Sequence, residues 1–264
     1  MKQDSLYKEF AKWYDEVYVD KKQTKKEIIF LNKIFKKHKV KSVLDVACGS
    51  GRHTFEIYIK GYKVDGFDLS KELLNIAKKK AKESDSKINF YFGNMCNINL
   101  KKKYDALICM FTSFNYLCEA EEQLSAFKSF NKSLKKNGIL IIDFGFLWNW
   151  IVTNTAKKKL VNVYEKGNKK LIDEIVVNWS ALNNIWVQTN NYKGYENNKL
   201  IIKEKDIIKL SILTPEILKI LCLTNGFEIV DFYVDFNLKE KLNKYSNESK
   251  KRLKRLILIA KKVK

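Results

Sequence analysis

The chain has 264 residues, 45% hydrophobic and 13% aromatic, enough for one sizeable core with room for an appended subdomain. No apolar run approaches the ~18 residues that a membrane span needs, and the N-terminal MKQDSLYKEFAKWYDEV has no apolar signal core, so the expectation is a cytoplasmic protein that does not enter a membrane. The formal charge of +21 raises a nucleic-acid partner, but only Arg52, Arg252 and Arg255 are arginines; the scattered lysines, alongside abundant Asn and Ile, read as a compositional bias that weighs against that partner without excluding it.

Residues 5–38 carry two helical patterns. LYKEFAKWYDEVY is rich in aromatics, and KKEIIFLNKIFKKH sets Ile28, Ile29, Leu31, Ile34 and Phe35 near one face. From residue 41 strands and helices alternate. SVLDVAC reads as a buried strand, residues 52–60 as a helix opening, and YKVDGFDLS as a second strand ending on Asp68. Ser70 then N-caps KELLNIAKKKAKE. INFYFGNM and YDALICMF follow as the third and fourth strands. EAEEQLSAFKSFNKSLKKNG reads as a helix that Gly138 stops as its C′ residue, and GILIIDFG as the fifth strand.

The alternation breaks near residue 148. LVNVYEKG, KLIDEIVVNWSAL, IWVQTNNYKG and KLIIKEKDIIKLSIL are strand-like runs with no helix between them, which predicts a small antiparallel β insertion. The layered pattern then resumes: TPEILKILCLTNG is a helix with Thr214 as N-cap and Pro215 at its first position, and FEIVDFYVDF and RLILIAKK are strands. The prediction is an α/β fold, a doubly wound, seven-stranded, mostly parallel sheet whose final strand enters antiparallel. Three parts follow: a helical cap over 1–40, a ligand-binding α/β domain over 41–147 and 212–264, and the insertion over 148–211. The five cysteines include no C-x-x-C pair, so neither a disulfide framework nor a metal site is expected.

VLDVACGSGRH, residues 43–53, carries the chemistry. In an open α/β sheet ligands bind at the carboxyl ends of the strands, and this loop follows the first strand. Gly49 and Gly51 let backbone approach a ligand, and the next helix presents free N–H groups. Asp68, at the tip of the second strand, can accept both hydroxyls of a ribose. A dinucleotide would ask for a third glycine where GSGRHT has Thr54, and Asp45 does not suit a pyrophosphate; it does suit a ligand bearing an ammonium and a sulfonium. No G-K-[ST] follows, so a Walker-type phosphate loop is excluded.

VLDVACGSGRH resembles the first motif of class I S-adenosylmethionine-dependent methyltransferases, and GFDLS resembles their acidic second motif. FGNM, CMFTSFNYL and LKKNGILIID stand where that family has its third, fourth-strand and fifth-strand motifs, and TPEILKILCLTNGFEIVDFY resembles its last helix and strand. The small-molecule enzymes are the most similar: amino-sugar N,N-dimethyltransferases and the glycine N-methyltransferase-like group share a Tyr-rich helical start, a G-[ST]-G-R-H loop and an insertion after the fifth strand.

That resemblance implies a Rossmann-like methyltransferase fold and transfer of a methyl group from S-adenosylmethionine, leaving S-adenosylhomocysteine, to a nitrogen or oxygen of a small molecule, with no metal. It implies that Ala47, with an ordinary φ, and Gly49 and Gly51 line the methionine end. Asp45 would lie near the ammonium, or else cap loop N–H groups; Arg52 would meet the carboxylate. Asp68 would accept the ribose, Leu69 pack on adenine, and Asn94 and Met95 contact the ring, Asn94 reading equally as a turn residue. Phe111 would stand beside the methyl, and Tyr14 and Tyr18 would cover the cofactor. Tyr116, Tyr14 and His53 are the candidate bases; each aromatic also reads as a core anchor, and His53 as a structural residue. The insertion would serve as a lid or a homodimer contact. An RNA methyltransferase using the lysine-rich surface, and a non-catalytic cofactor binder, are the alternatives.

Overall fold

A computed structural model of the protein describes residues 13, 17, 20–145, 147, 159–180, 182–242 and 255–264. Of the first predicted helix it describes only Trp13 and Val17, so Tyr14 and Tyr18 lie outside the described residues. The next helix, α1 (Lys21–Lys37), starts at Asp20, whose carboxylate accepts the Lys22 and Gln23 N–H groups, and buries Ile28, Phe30, Leu31, Ile34 and Phe35. Lys36 and Lys37 close it, where positive charge suits the helix dipole.

The alternation read from the sequence is present as β1 (Ser42–Val46), α2 (Arg52–Ile59), β2 (Lys63–Asp68), α3 (Lys71–Glu83), β3 (Asn89–Phe92), β4 (Tyr104–Cys109), α4 (Ala120–Ser133) and β5 (Leu134–Gly145). Four strands β6 (Leu160–Lys166), β7 (Lys169–Ser180), β8 (Ile185–Glu196) and β9 (Lys199–Ser211) form a separate antiparallel sheet in sequence order. Then come α5 (Pro215–Thr224), β10 (Phe227–Val234), β11 (Asn237–Lys241) and β12 (Arg255–Lys262). Thr214 caps α5 through the Ile217 N–H, with Pro215 in the first turn.

The main sheet has the order β11-β10-β12-β5-β4-β1-β2-β3. The pairs from β3 to β5 are parallel, and β12 lies antiparallel between β5 and β10. It has eight strands rather than seven, because the chain reverses after Val234 and β11 pairs back on β10. Its apolar runs are explained by period-2 burial on both faces. In β12, Leu256, Leu258 and Ala260 join one core with α4 and α5, while Ile257 and Ile259 join the other with α1, α2 and α3.

Gly138 does not end α4. The helix stops at Ser133, Leu134 is extended and fully buried, and LKKNG forms the irregular start of β5, with extra residues between the pairs Tyr104–Leu134 and Ala106–Ile139. The left-handed residue there is Asn137 (φ 63°). Burying Leu134 outweighed another turn of helix. The chain leaves β1 toward β2 on one side and returns to β4 on the other, so the strand order reverses at β1/β4, where ligands of such sheets bind. Among the described residues no helix is long and apolar enough to cross a membrane.

Candidate active site

The loop after β1 is a chain of left-handed residues: Ala47 (φ 56°), Gly49 (φ 55°) and Gly51 (φ 86°). Ala47 therefore lacks the ordinary φ expected of it. The turn is pulled tight by Cys48 N–H donating to Phe67 O (3.2 Å) and Gly51 N–H to Cys48 O (2.9 Å), and an alanine there carries about 1–2 kcal/mol of strain. Gly51 is bound by space as well, since a Cβ would meet the Phe55 ring at 2.7 Å. At Gly49 the nearest atom to a Cβ is a Leu73 methyl at 3.6 Å, an ordinary contact, so the left-handed φ and not crowding asks for glycine there. Cys48 packs over Gly66, and burial pushes its thiol well above the ordinary range, leaving it inert.

Asp68 ties this loop to the next. Its Oδ2 accepts the Gly49 N–H (2.6 Å) and its Oδ1 the Ser70 N–H (2.7 Å). Burial raises its carboxyl, and the backbone donors of Ser70, Gly49 and Leu69 oppose the rise. Each oxygen keeps a lone pair for a further donor. Leu69 beside it is 52% exposed, so it is not a core residue, and Phe92, paired with Asp68 across β2 and β3, is exposed to the same degree. Phe92 went unread in the sequence; an aromatic closing a strand at the carboxyl edge was its only signal. Asn94 spends its side-chain oxygen on the Cys96 N–H (2.9 Å), capping the short turn Met95–Asn97 that carries Met95.

Asp45 is buried in β1 and accepts the Thr54 hydroxyl (2.6 Å), so it bonds α2. Burial pushes its carboxyl up to about 7, Asp68 adding to the rise and the Thr54 bond opposing it. Thr54, where a dinucleotide loop would have glycine, thus serves as the partner of that acid.

A buried charge network lies behind the loop. Glu27 of α1, with no exposed surface, meets His53 Nε2 (2.7 Å), Arg52 Nη2 (3.4 Å) and Arg255 Nη1 (3.0 Å). Asp143 at the end of β5 takes Arg255 from the other side and accepts the Phe111 N–H (2.8 Å). Arg52 and Arg255 both stack on the Phe111 ring, at 4.5 and 5.4 Å. Burial tends to raise the Glu27 carboxyl, but His53, Arg52 and Arg255 prevail and hold it below the usual range. Burial pushes the His53 imidazole down, so at neutral pH it is uncharged and donates to Glu27. That corrects His53 as a candidate base: its ring is enclosed and its Nε2 is taken. Glu27, Asp143 and Arg255 escaped the sequence because their partners lie up to 228 positions away.

Beyond β4, Phe111 (φ 57°) and Thr112 (φ 58°) are consecutive left-handed residues leading into the turn Ser113–Tyr116. Asn115, fully buried, donates to Ser211 O (2.9 Å) and accepts the Gly145 N–H (3.1 Å) and, at its backbone oxygen, the Ser211 hydroxyl (3.1 Å). It thus bolts the β4 turn to the end of β5 and of β9. Tyr116 then lies near Tyr192 of β8, which is also close to Asp173, Asp206 and Tyr164. Asn190 donates to Asp173 Oδ1 (2.8 Å), and Asn162, paired with Asp173 across β6 and β7, also faces this buried carboxylate.

The groups at the carboxyl ends of β1 to β3 fit an amino-acid-bearing adenosine: left-handed backbone at Gly49, the Asp68 carboxylate, and half-exposed Leu69 and Phe92, with a buried Arg52 Nη2 that makes no hydrogen bond at the start of α2. Among the described residues no His, Cys, Asp and Glu group could hold a metal ion. Residues 43–138 match a family described as "Methyltransferase domain". A putative methyltransferase of Geobacillus sp. (strain WCH70) is 30% identical over 139 residues, 52% of this chain and 56% of that protein. A glycine/sarcosine N-methyltransferase of Aphanothece halophytica is 29% identical over 143 residues, 53% of this chain and 54% of that one. The chain spans about half the length of the curated relatives it matches. The crystal structure of an S-adenosylmethionine-dependent methyltransferase from Clostridium acetobutylicum ATCC 824 has the same fold, with a TM-score of 0.77 at 19% identity over 97% of this chain and 98% of that one.

Proposed function

We propose that this chain, with its Rossmann-like methyltransferase fold and a methyltransferase domain over residues 43–138, moves a methyl group from S-adenosylmethionine to a nitrogen or oxygen of a small molecule. One observation carries the reading: the buried Asp68 carboxylate stands between a left-handed glycine loop and the half-exposed Leu69. The cofactor supplies an electrophilic methyl on a sulfonium that leaves readily. Asp68 holds the ribose on its remaining lone pairs, and Leu69 and Phe92 take the two sides of the adenine edge, with Asn94 and Met95 beside it. Ala47, Gly49 and Gly51 give the ligand backbone to approach. Arg52 Nη2 takes the carboxylate, and Asp45, whose carboxyl burial raises to about 7 in the free protein, gives up its proton beside the bound ammonium.

Catalysis in this reading rests on holding the acceptor in line with the sulfur–methyl bond, about 3–3.5 Å from the carbon. Phe111 and Tyr116 stand on the acceptor side, with Tyr14 and Tyr18 as the cover from the N-terminal segment. Behind Tyr116 the insertion carries the buried Tyr192 and Asp173, polar groups that back that side. The outer face of the insertion exposes Val161, Val163, Val176 and Ile207, which supports the lid or homodimer role given to it.

Calorimetry tests the reading. S-adenosylmethionine and S-adenosylhomocysteine should bind at about micromolar strength and NAD not at all, and Asp68→Asn should weaken binding by about tenfold or more through loss of a charge-assisted pair. Tight NAD binding, or an Asp68→Asn protein that binds normally, would overturn it.

A further inference from the structure

Resting on the cofactor reading above, we propose that Glu27 and Thr24 of α1 are positioning residues that aim the Arg52 guanidinium at the carboxylate on the ligand's amino-acid end. Arg52 is fixed on three sides. Its Nη1 donates to Thr24 Oγ1 (3.2 Å), its face lies on the Phe111 ring, and Glu27 Oε2 stands 3.4 Å from Nη2. That last contact is an ion pair without a hydrogen bond, and Nη2 is buried with its donors unspent. A bidentate pair with Glu27, the frequent arrangement of arginine and carboxylate, would have spent both ends of the fork. Here the carboxylate neutralises the guanidinium and leaves one end of the fork for another anion.

Glu27 is able to stand off because other groups hold it. Arg255 Nη1 and Gln23 Nε2 occupy Oε1, at 3.0 and 3.1 Å, and His53 occupies Oε2. Thr24 is fixed in turn by its hydroxyl bond to Asp20 O (2.9 Å), one turn back in α1. The choice of residue agrees with a fork geometry: the chain uses arginine three times among 51 basic residues, and two of the three are in this network. The N-terminal helix is thereby part of the donor site through the arginine it orients, without touching the ligand.

The test compares S-adenosylhomocysteine with 5′-methylthioadenosine, which keeps the adenosine thioether and lacks the amino-acid end. Thr24→Val keeps the shape of the side chain and removes the Nη1 acceptor together with the hydroxyl bond to Asp20 O, which still accepts the Thr24 N–H (3.0 Å). It should raise the S-adenosylhomocysteine Kd by about fivefold to tenfold and leave the 5′-methylthioadenosine Kd unchanged within about twofold. Glu27→Gln should discriminate more strongly in the same direction; if that buried substitution unfolds the protein, Thr24→Val alone decides. Equal weakening of both ligands would overturn the proposal, because it marks a general structural role, and so would an unchanged S-adenosylhomocysteine Kd. A wild-type protein that binds neither ligand would overturn the cofactor reading itself.

Discussion

Asp45 and Glu27 are both buried carboxylates, and their surroundings drive them opposite ways. Glu27 faces two arginines and a histidine and stays ionised; Asp45 has a hydroxyl and a second carboxylate, Asp68, nearby, and its pKa rises to about 7. The sign of the pH dependence follows. Folded Asp45 keeps a proton that the unfolded chain gives up near pH 3.9, so this group costs stability as the pH rises from about 4 to 7. Asp45→Asn keeps an acceptor for Thr54 and removes that cost. Denaturant titrations should find the variant gaining on the wild type between pH 4 and pH 7, by at most about 1.4 kcal/mol per pH unit; a gain that does not change with pH would mean that Asp45 is ionised throughout. VLD and the later T made this pair visible in part, because Asp45 was read as a ligand group and Thr54 only as a missing glycine.

The loop between β1 and α2 illustrates how two small residues differ by neighbours alone. Gly51 is left-handed and has Phe55 against it, whereas Ala47 is left-handed and already carries a Cβ. Gly51→Ala should lose about 2 kcal/mol in chemical denaturation, from the left-handed strain and the Phe55 contact together. Ala47→Gly relieves a similar strain and loses about 0.5–1 kcal/mol to unfolded-chain entropy, so it should stay within about 1 kcal/mol of wild type. The reverse order would mean that the loop takes another conformation. Helix starts were legible where a capping side chain marks them, as Ser70 and Thr214 do. The end of α4 was not, because burial of Leu134 decided it and Gly138 merely looked like a stop signal.

Across the molecule, the main sheet and the insertion are joined through Asn115, whose amide and backbone bridge the β4 turn, Gly145 and Ser211. Asn115→Ala leaves two buried backbone groups unpaired, at about 1–3 kcal/mol each. It should lower stability by about 2–6 kcal/mol and speed amide exchange in β9 ahead of β1 and β4. Uniform loss of protection would instead mean that the two sheets open as one unit. The sequence offered no sign of this bolt, since an asparagine after a strand reads as a turn residue until its partners 30 and 96 positions away are in place.

The amino-acid order alone dictated the alternation of strands and helices, the insertion and the left-handed glycine loop after the first strand. Each of these is written in local signals: hydrophobic period, capping residues, and residues that tolerate a left-handed turn. Packing dictated the rest. Whether His53 is a base or a buried partner of Glu27, whether Leu69 is core or platform, and how Arg255 reaches Phe111 depend on side chains far apart in the chain. Burial and charge pairing set their pKa values and orientations, and neither exists until the sheet has closed.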